Sequence, residues 1–244
     1  MSAKELVVKP IERAGACAFV KRYHYSGKVV PNSQLHLGVF WRDKLEGVMQ
    51  FGPSMRKDLM QPLVTGTAWN GFLELNRMVF SDVLPRNSES RALSVALRLL
   101  RAHYRHIDWV VTFSDGCQCG DGTIYRASGF VLTGLKRNTE IKINPETGMP
   151  MATMAAYHLG HAKDIASWMA LDGYMMRYMY FLKKDARARL TVPVLPFKKI
   201  DEMGASMYLG EKIKRTKEQS DAPTASLGRA TTTRPIQNFE AAKM

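Results

Sequence analysis

Trp109-Val-Val-Thr-Phe-Ser114 runs into Asp115-Gly-Cys-Gln-Cys-Gly-Asp-Gly122, then into Thr123-Ile-Tyr-Arg-Ala-Ser128, Gly129 and Phe130-Val-Leu-Thr-Gly-Leu135. The first run is too continuously apolar for a half-exposed strand and belongs in the interior of a sheet. A glycine-rich loop follows at its carboxyl end, then a short helix closed by Gly129 and a further strand. This order predicts an α/β protein built on a mixed α+β sheet.

Working outward, Leu93, Ala96, Leu97 and Leu100 repeat at i, i+3, i+4 and i+7. They mark a helix that opens near Asn87 or Ser88 and runs to about His103. Before it, Phe72 to Phe80 alternates apolar and polar residues, so strand, helix and strand predict a parallel pair, and the unit repeats once more up to Leu135. Gln34 to Trp41 and Leu45 to Gly52 flank Arg42-Asp43-Lys44 and read as an antiparallel hairpin. Ile11 to Tyr23 carries Ala16, Phe19, Val20 and Tyr23 at helical spacing and ends at Ser26-Gly27. Residues 136–172 are less regular, and Tyr174 to Leu182 is a strand that could close the sheet. Residues 1–215 form the expected folded domain; residues 216–244, polar and basic with few apolar anchors, read as a disordered tail.

The 244 residues hold 35 Lys and Arg against 22 Asp and Glu, a net charge of +13 that favours a polyanionic partner. At 45% hydrophobic content a real core can form, which excludes global disorder. No run approaches the roughly 18 apolar residues of a membrane span, and Met-Ser-Ala-Lys-Glu lacks a signal-peptide core. Cys17, Cys117 and Cys119 cannot all pair internally, which fits a reducing cytoplasm. The oligomeric state is left open, a dimer included.

Arg86-Asn-Ser-Glu-Ser-Arg91 lies between a strand and a helix, where helix-start N–H groups favour an anion. An ordinary capped helix with solvated arginines would look the same. Asp115 emerges at the end of a buried strand and Asp121 six residues later, so either can accept a proton or take a metal, and both also suit turns. Cys117-x-Cys119 falls short of the ligand set of a structural zinc site. His24 and Asp115 are the candidate metal pair. Lys21-Arg-Tyr-His-Tyr25-Ser-Gly-Lys28 interleaves aromatic and basic residues, as nucleic-acid contacts do; Tyr174 to Tyr180 does so too but reads mostly as core. Lysines and arginines from Lys198 to Arg234 would add a salt-sensitive component.

His24-Tyr25-Ser-Gly-Lys-Val-Val-Pro-Asn-Ser33, Leu73-Glu-Leu-Asn-Arg77-Met, Asn87-Ser-Glu-Ser-Arg91-Ala, Asp115 through Phe130 and Gly173 through Leu182 together resemble the Mom family of DNA-modification proteins of Mu-like phages. The resemblance implies a GNAT-like acyltransferase fold, a central mixed sheet flanked by helices, in which two parallel strands splay apart and a helix start binds the donor's pyrophosphate. Arg86-Asn-Ser-Glu-Ser-Arg-Ala92 departs from the usual spacing of that phosphate loop. The family places an acetamido-type group on the exocyclic amine of adenine in phage DNA, shielding it from host restriction, which implies action on double-stranded DNA in the host cell cytoplasm.

That amine is conjugated into the ring and poorly nucleophilic, so the reaction needs a proton acceptor and a polarised acceptor carbon. The base must also leave the duplex stack. Under the resemblance Asp115 is the acceptor or base and Tyr125 the proton donor or donor-orienting hydroxyl. His24 with Tyr25 form a second acid/base and stacking pair. Arg77, Arg86, Ser88, Ser90 and Arg91 hold the donor's phosphates or carbonyl oxygen. Acetyl-CoA alone supplies no nitrogen, so the candidate donors are acetyl-CoA with further chemistry or glycyl-tRNA, whose glycyl group is isomeric with carbamoylmethyl. Iron held by His24 and Asp115 is a rival route to the carbon–nitrogen bond. A non-catalytic, basic DNA-binding protein on a degenerate acyltransferase scaffold is the alternative from a different class.

Overall fold

The computed structural model describes residues 3–208 and 211–212. In chain order the elements begin with β1 (Val7–Pro10), α1 (Arg13–Tyr23), β2 (Leu35–Trp41), β3 (Lys44–Gly52), α2 (Lys57–Met60) and β4 (Phe72–Phe80). They continue with α3 (Ser88–His103), β5 (Trp109–Asp115), α4 (Thr123–Ala127), β6 (Val131–Arg137), β7 (Ile141–Ile143), β8 (Pro150–Ala152) and α5 (Thr153–His158). Last come β9 (Tyr174–Phe181), α6 (Lys184–Ala188), α7 (Lys198–Glu202) and a separate antiparallel pair, β10 (Met207–Tyr208) with β11 (Glu211–Lys212). Seven strands make one mixed sheet in the order β1-β2-β3-β4-β5-β9-β6.

Periodicity decides which face each helix covers. In α3, Ala92, Leu93, Ala96, Leu97 and Leu100 are all buried and pack on Leu75, Met78, Phe80 and Val110. In α1, Ala16, Phe19 and Val20 pack on Val48 and Val79. Successive strand residues point to opposite faces, so Val79 against α1 and Met78 and Phe80 against α3 put the two helices on opposite sides of the sheet. The mixed α/β sheet flanked by helices is therefore present. The β2–β3 hairpin closes through Arg42 and Asp43, both with positive φ (51° and 59°), the type I′ geometry whose twist matches the flanking strands.

The predicted parallel pair is β4 with β5. The repeated unit differs from the sequence expectation: β6 does not pair with β5, because β9 lies between them and is antiparallel to both. Nor does β9 close the sheet at an edge. Its Met176, Tyr178 and Met179 are fully buried, and a strand with apolar or aromatic residues toward both faces belongs inside. Residues 138–172 form an excursion with the β7–β8 hairpin and α5, outside the main sheet. The expected tail and its basic residues from Lys214 onward lie outside the described residues. No helix among the described residues is long and apolar enough to cross a membrane.

Candidate active site

The β4–β5 ladder lasts for three pairs, Phe72↔Trp109, Leu73↔Val110 and Glu74↔Val111, and then opens. The cause is in β4. Against β3, Leu75 pairs with Phe51 and Arg77 with Gln50, which leaves Asn76 as an extra, bulged residue; such a bulge bends its strand and sharpens its twist. The expected splay of two parallel strands is thus present. Across its root the Thr112 hydroxyl donates to the Leu75 carbonyl at 3.3 Å, a side chain standing in for a ladder bond.

Asp115 sits at the open end of β5, buried to 7% exposure. Its Oδ1 accepts the Cys117 N–H at 2.9 Å. Its Oδ2 accepts the Tyr25 hydroxyl at 3.1 Å and the Gln118 amide at 3.0 Å, while its carbonyl gathers the N–H groups of Cys119 and Gly120. Two of the three glycines of the following loop serve protein packing: a Cβ on Gly116 would stand 2.5 Å from the Tyr174 carbonyl, and one on Gly122, at φ +80°, 2.4 Å from the Tyr178 ring. The close approach expected there is made by β9.

The end of α1 delivers the other wall. His24 and Tyr25 lie ring against ring at 4.4 Å. The Ser26 N–H donates to His24 Nδ1 at 3.1 Å, so the neutral ring carries its proton on Nε2. Burial, assisted by the Arg77 charge, pushes His24 down to about 3, which keeps its imidazole neutral near pH 7. Burial and the neighbouring Cys119 and Asp115 hold the Tyr25 phenol well above its ordinary range. Arg77, on β4, donates from Nε to the Lys28 carbonyl at 2.9 Å and from Nη1 to the Asn76 carbonyl at 2.8 Å. Burial lowers its guanidinium from the usual value.

Tyr125, on α4, approaches from the α3 side. Its ring packs on Phe130 and Tyr178 at 5.6 and 5.4 Å. Its hydroxyl is hydrogen-bonded to Thr112 and is pushed up to about 12, chiefly by burial. Arg77 and Cys119 act electrostatically on both Tyr25 and Tyr125, so His24, Tyr25, Arg77, Asp115 and Tyr125 surround one opening.

Arg86, Ser88, Ser90 and Arg91 form a separate group at the start of α3. Arg86 and Arg91 are exposed, and Asn87 takes the left-handed conformation (φ 67°). The Ser88 hydroxyl turns inward to donate to the Pro85 carbonyl at 2.6 Å, and Ser90 donates to the Asn87 carbonyl at 3.3 Å. The Ser128 hydroxyl reaches the Ser90 carbonyl at 3.4 Å, tying this turn to the end of the helix that carries Tyr125.

His24 Nδ1 and both Asp115 carboxylate oxygens accept hydrogen bonds from protein donors. Among the described residues no group of three or more His, Cys, Asp or Glu is disposed to hold a metal. Cys117 and Cys119 are pushed up to about 12, first by burial and then by Asp115, and so remain thiols. Asp121 accepts the Thr123 hydroxyl within its turn. Sequence reasoning missed Thr112, Gln118 and Cys119 as members of the site. The legible signal was Thr112 with Ser114, polar at i and i+2 in an apolar strand.

A model of the Mom protein family matches residues 5–199. The chain belongs to the Mom protein family. Within it, the methylcarbamoylase mom of Escherichia phage Mu is 37% identical over 196 residues, which span 77% of this chain and 80% of the Mu protein. Among solved structures, an N-acetyltransferase from Staphylococcus aureus Mu50 overlaps 73% of this Mom-family chain and 99% of its own, with 9% identity and a TM-score of 0.45. The spermidine/spermine N-acetyltransferase SpeG of Vibrio cholerae, solved with manganese ions, overlaps 76% and 98% respectively, with 10% identity and a TM-score of 0.44.

Proposed function

We propose that this chain is a phage DNA-modifying transferase that adds an acetamido-type group, carbamoylmethyl or its glycyl isomer, to the exocyclic amine of adenine and so shields DNA from restriction. The observation that carries the reading is Asp115, a buried carboxylate at the mouth of the β4–β5 opening, held by Tyr25 and Gln118, in a chain related to a named methylcarbamoylase. Methylcarbamoyl, carbamoylmethyl and glycyl groups share one elemental composition, so the relative's name fits the same mass.

In this reading the amine of an extruded adenine approaches Asp115, which accepts its proton as the nitrogen attacks the donor carbon. Tyr125, protonated at any working pH, turns its hydroxyl from Thr112 to donate a hydrogen bond to the oxygen on which charge develops. Arg77 places positive charge between the two tyrosines. Neutral His24 and the Tyr25 ring wall the pocket and keep water out. With an aminoacyl ester as donor the balance closes: the N–C bond forms, the ester C–O bond breaks, and Asp115 takes the amine proton and passes it to the leaving ribose oxygen.

The α3 start suits an anion through the exposed Arg86 and Arg91, while Glu89 in its first turn and the inward Ser88 hydroxyl make it a poor copy of a glycine-lined phosphate loop. This favours glycyl-tRNA over acetyl-CoA, which lacks the nitrogen. Purified protein, treated with ribonuclease, is to be incubated with duplex DNA and either donor, and the nucleosides read by fragmentation mass spectrometry. A new deoxyadenosine species only with glycyl-tRNA is expected. Full product from a small-molecule donor alone would overturn the tRNA assignment, and no adenine product from any donor would overturn the transferase reading in favour of a DNA-binding protein.

A further inference from the structure

Every side chain of β5 is buried except one. Phe113, in the middle of this interior strand, is 37% exposed. It stands two residues before Asp115 and therefore on the same sheet face, about 7 Å away along the strand. Tyr25 reaches Asp115 from that face.

The neighbours of Phe113 make a level surface. Arg177 of β9 lies opposite it in register, and Gly134 of β6 lies opposite Arg177. A Cβ on Gly134 would stand 3.3 Å from the guanidinium carbon, so the guanidinium lies along β6 in close contact with the Gly134 backbone. Thr133 pins it, accepting Nε–H at its hydroxyl (3.1 Å) and Nη2–H at its carbonyl (2.7 Å); the remaining N–H groups of the fork are available to an anion. Met175, opposite Asp115, and exposed Lys136, opposite Met175, extend the same face. An aromatic ring, a flat pinned cation and a lysine beside a buried carboxylate are the groups that stack a planar base and meet the phosphate attached to it.

We propose that Phe113 is the stacking floor for the extruded adenine, with Arg177 meeting the phosphate that flanks it. This rests on the DNA-adenine reading above. It makes Phe113 and Arg177 determinants of which strand geometry the site accepts, distinct from the groups that move protons. A base lying on Phe113 points one edge along β5 toward Asp115. Stacking on the ring also compensates for the neighbours that the base leaves in the duplex.

The test uses the full chain with Phe113→Ala and Phe113→Trp. A duplex carrying 2-aminopurine at an adenine position reports unstacking by its fluorescence, with no donor present, and plasmid DNA from co-expressing cells reports modified deoxyadenosine by mass spectrometry. Wild-type protein should change the fluorescence and Phe113→Ala should lose most of the change. Modification should fall about tenfold or more, as loss of one base–aromatic stack does, while salt-dependent duplex affinity changes less than about twofold and Phe113→Trp restores both signals. An adenine placed in an unpaired bulge should recover part of the loss. Phe113→Ala with wild-type fluorescence and modification would overturn the platform and leave the transferase reading standing. Wild-type protein that moves the fluorescence but yields no modified adenosine would count against the transferase reading and leave the platform intact.

Discussion

Asp115 owes its position to three donors that reach it from three directions: the Cys117 N–H from its own turn, the Gln118 amide from the loop, and the Tyr25 hydroxyl from the end of α1. Asp115→Asn keeps the size and loses the proton acceptor, so modification should fall on the order of 10²-fold or more, the range for a general base, with the folded circular-dichroism spectrum retained. Tyr125→Phe keeps the packing on Phe130 and Tyr178 and removes the hydroxyl, and should cost about 10² in rate. His24 gives a prediction about pH. Its folded value, about 3, lies below the ordinary 6.5, so the unfolded chain binds the extra proton between those limits. Its contribution to stability is therefore present above about pH 6.5 and is lost as pH falls toward 3, at up to ~1.4 kcal/mol per pH unit. Urea unfolding at pH 7, 6, 5 and 4 reads this, and His24→Asn should flatten the slope. Activity itself should show no histidine-like titration near pH 6.5.

At the scale of elements, the sequence was informative where chemistry is local. Arg42-Asp43 gave the hairpin, the i, i+3, i+4 repeat gave α3, and the unbroken run from Trp109 gave an interior strand. What it could not give was neighbourhood. The period of Tyr174 to Leu182 says strand, but nothing in it says that the strand slots between β5 and β6, since pairing partners are chosen by tertiary packing. The Asn76 bulge is likewise invisible, because one extra residue leaves Phe72 to Phe80 still alternating. That bulge opens the sheet, and so the cleft had to be seen. Gly122 ties loop to sheet: at φ +80° with the Tyr178 ring 2.4 Å from any Cβ, Gly122→Ala should destabilise the chain by about 1–3 kcal/mol, read by urea unfolding, and displace α4 with Tyr125.

Over the whole molecule, Asp115, Tyr125, His24, Tyr25 and Arg77 come from α1, β4, β5 and α4, separated by up to a hundred residues and joined only by the sheet's opening. Composition, through the +13 charge, favours a polyanionic partner but names no face for it, because basic residues are spread along the chain. Under the proposed function the affinity for duplex DNA should fall steeply with salt, with a log–log slope of about −5 or steeper for six or more phosphates; filter binding from 50 to 200 mM salt measures it. The central claim is that Asp115 activates an adenine amine in DNA. Its most direct test is nucleoside mass spectrometry of plasmid DNA from cells expressing the wild-type chain or Asp115→Asn. A modified deoxyadenosine with the wild-type chain that vanishes with Asp115→Asn is the predicted result. The same species at the same level with both, from folded protein, would contradict it.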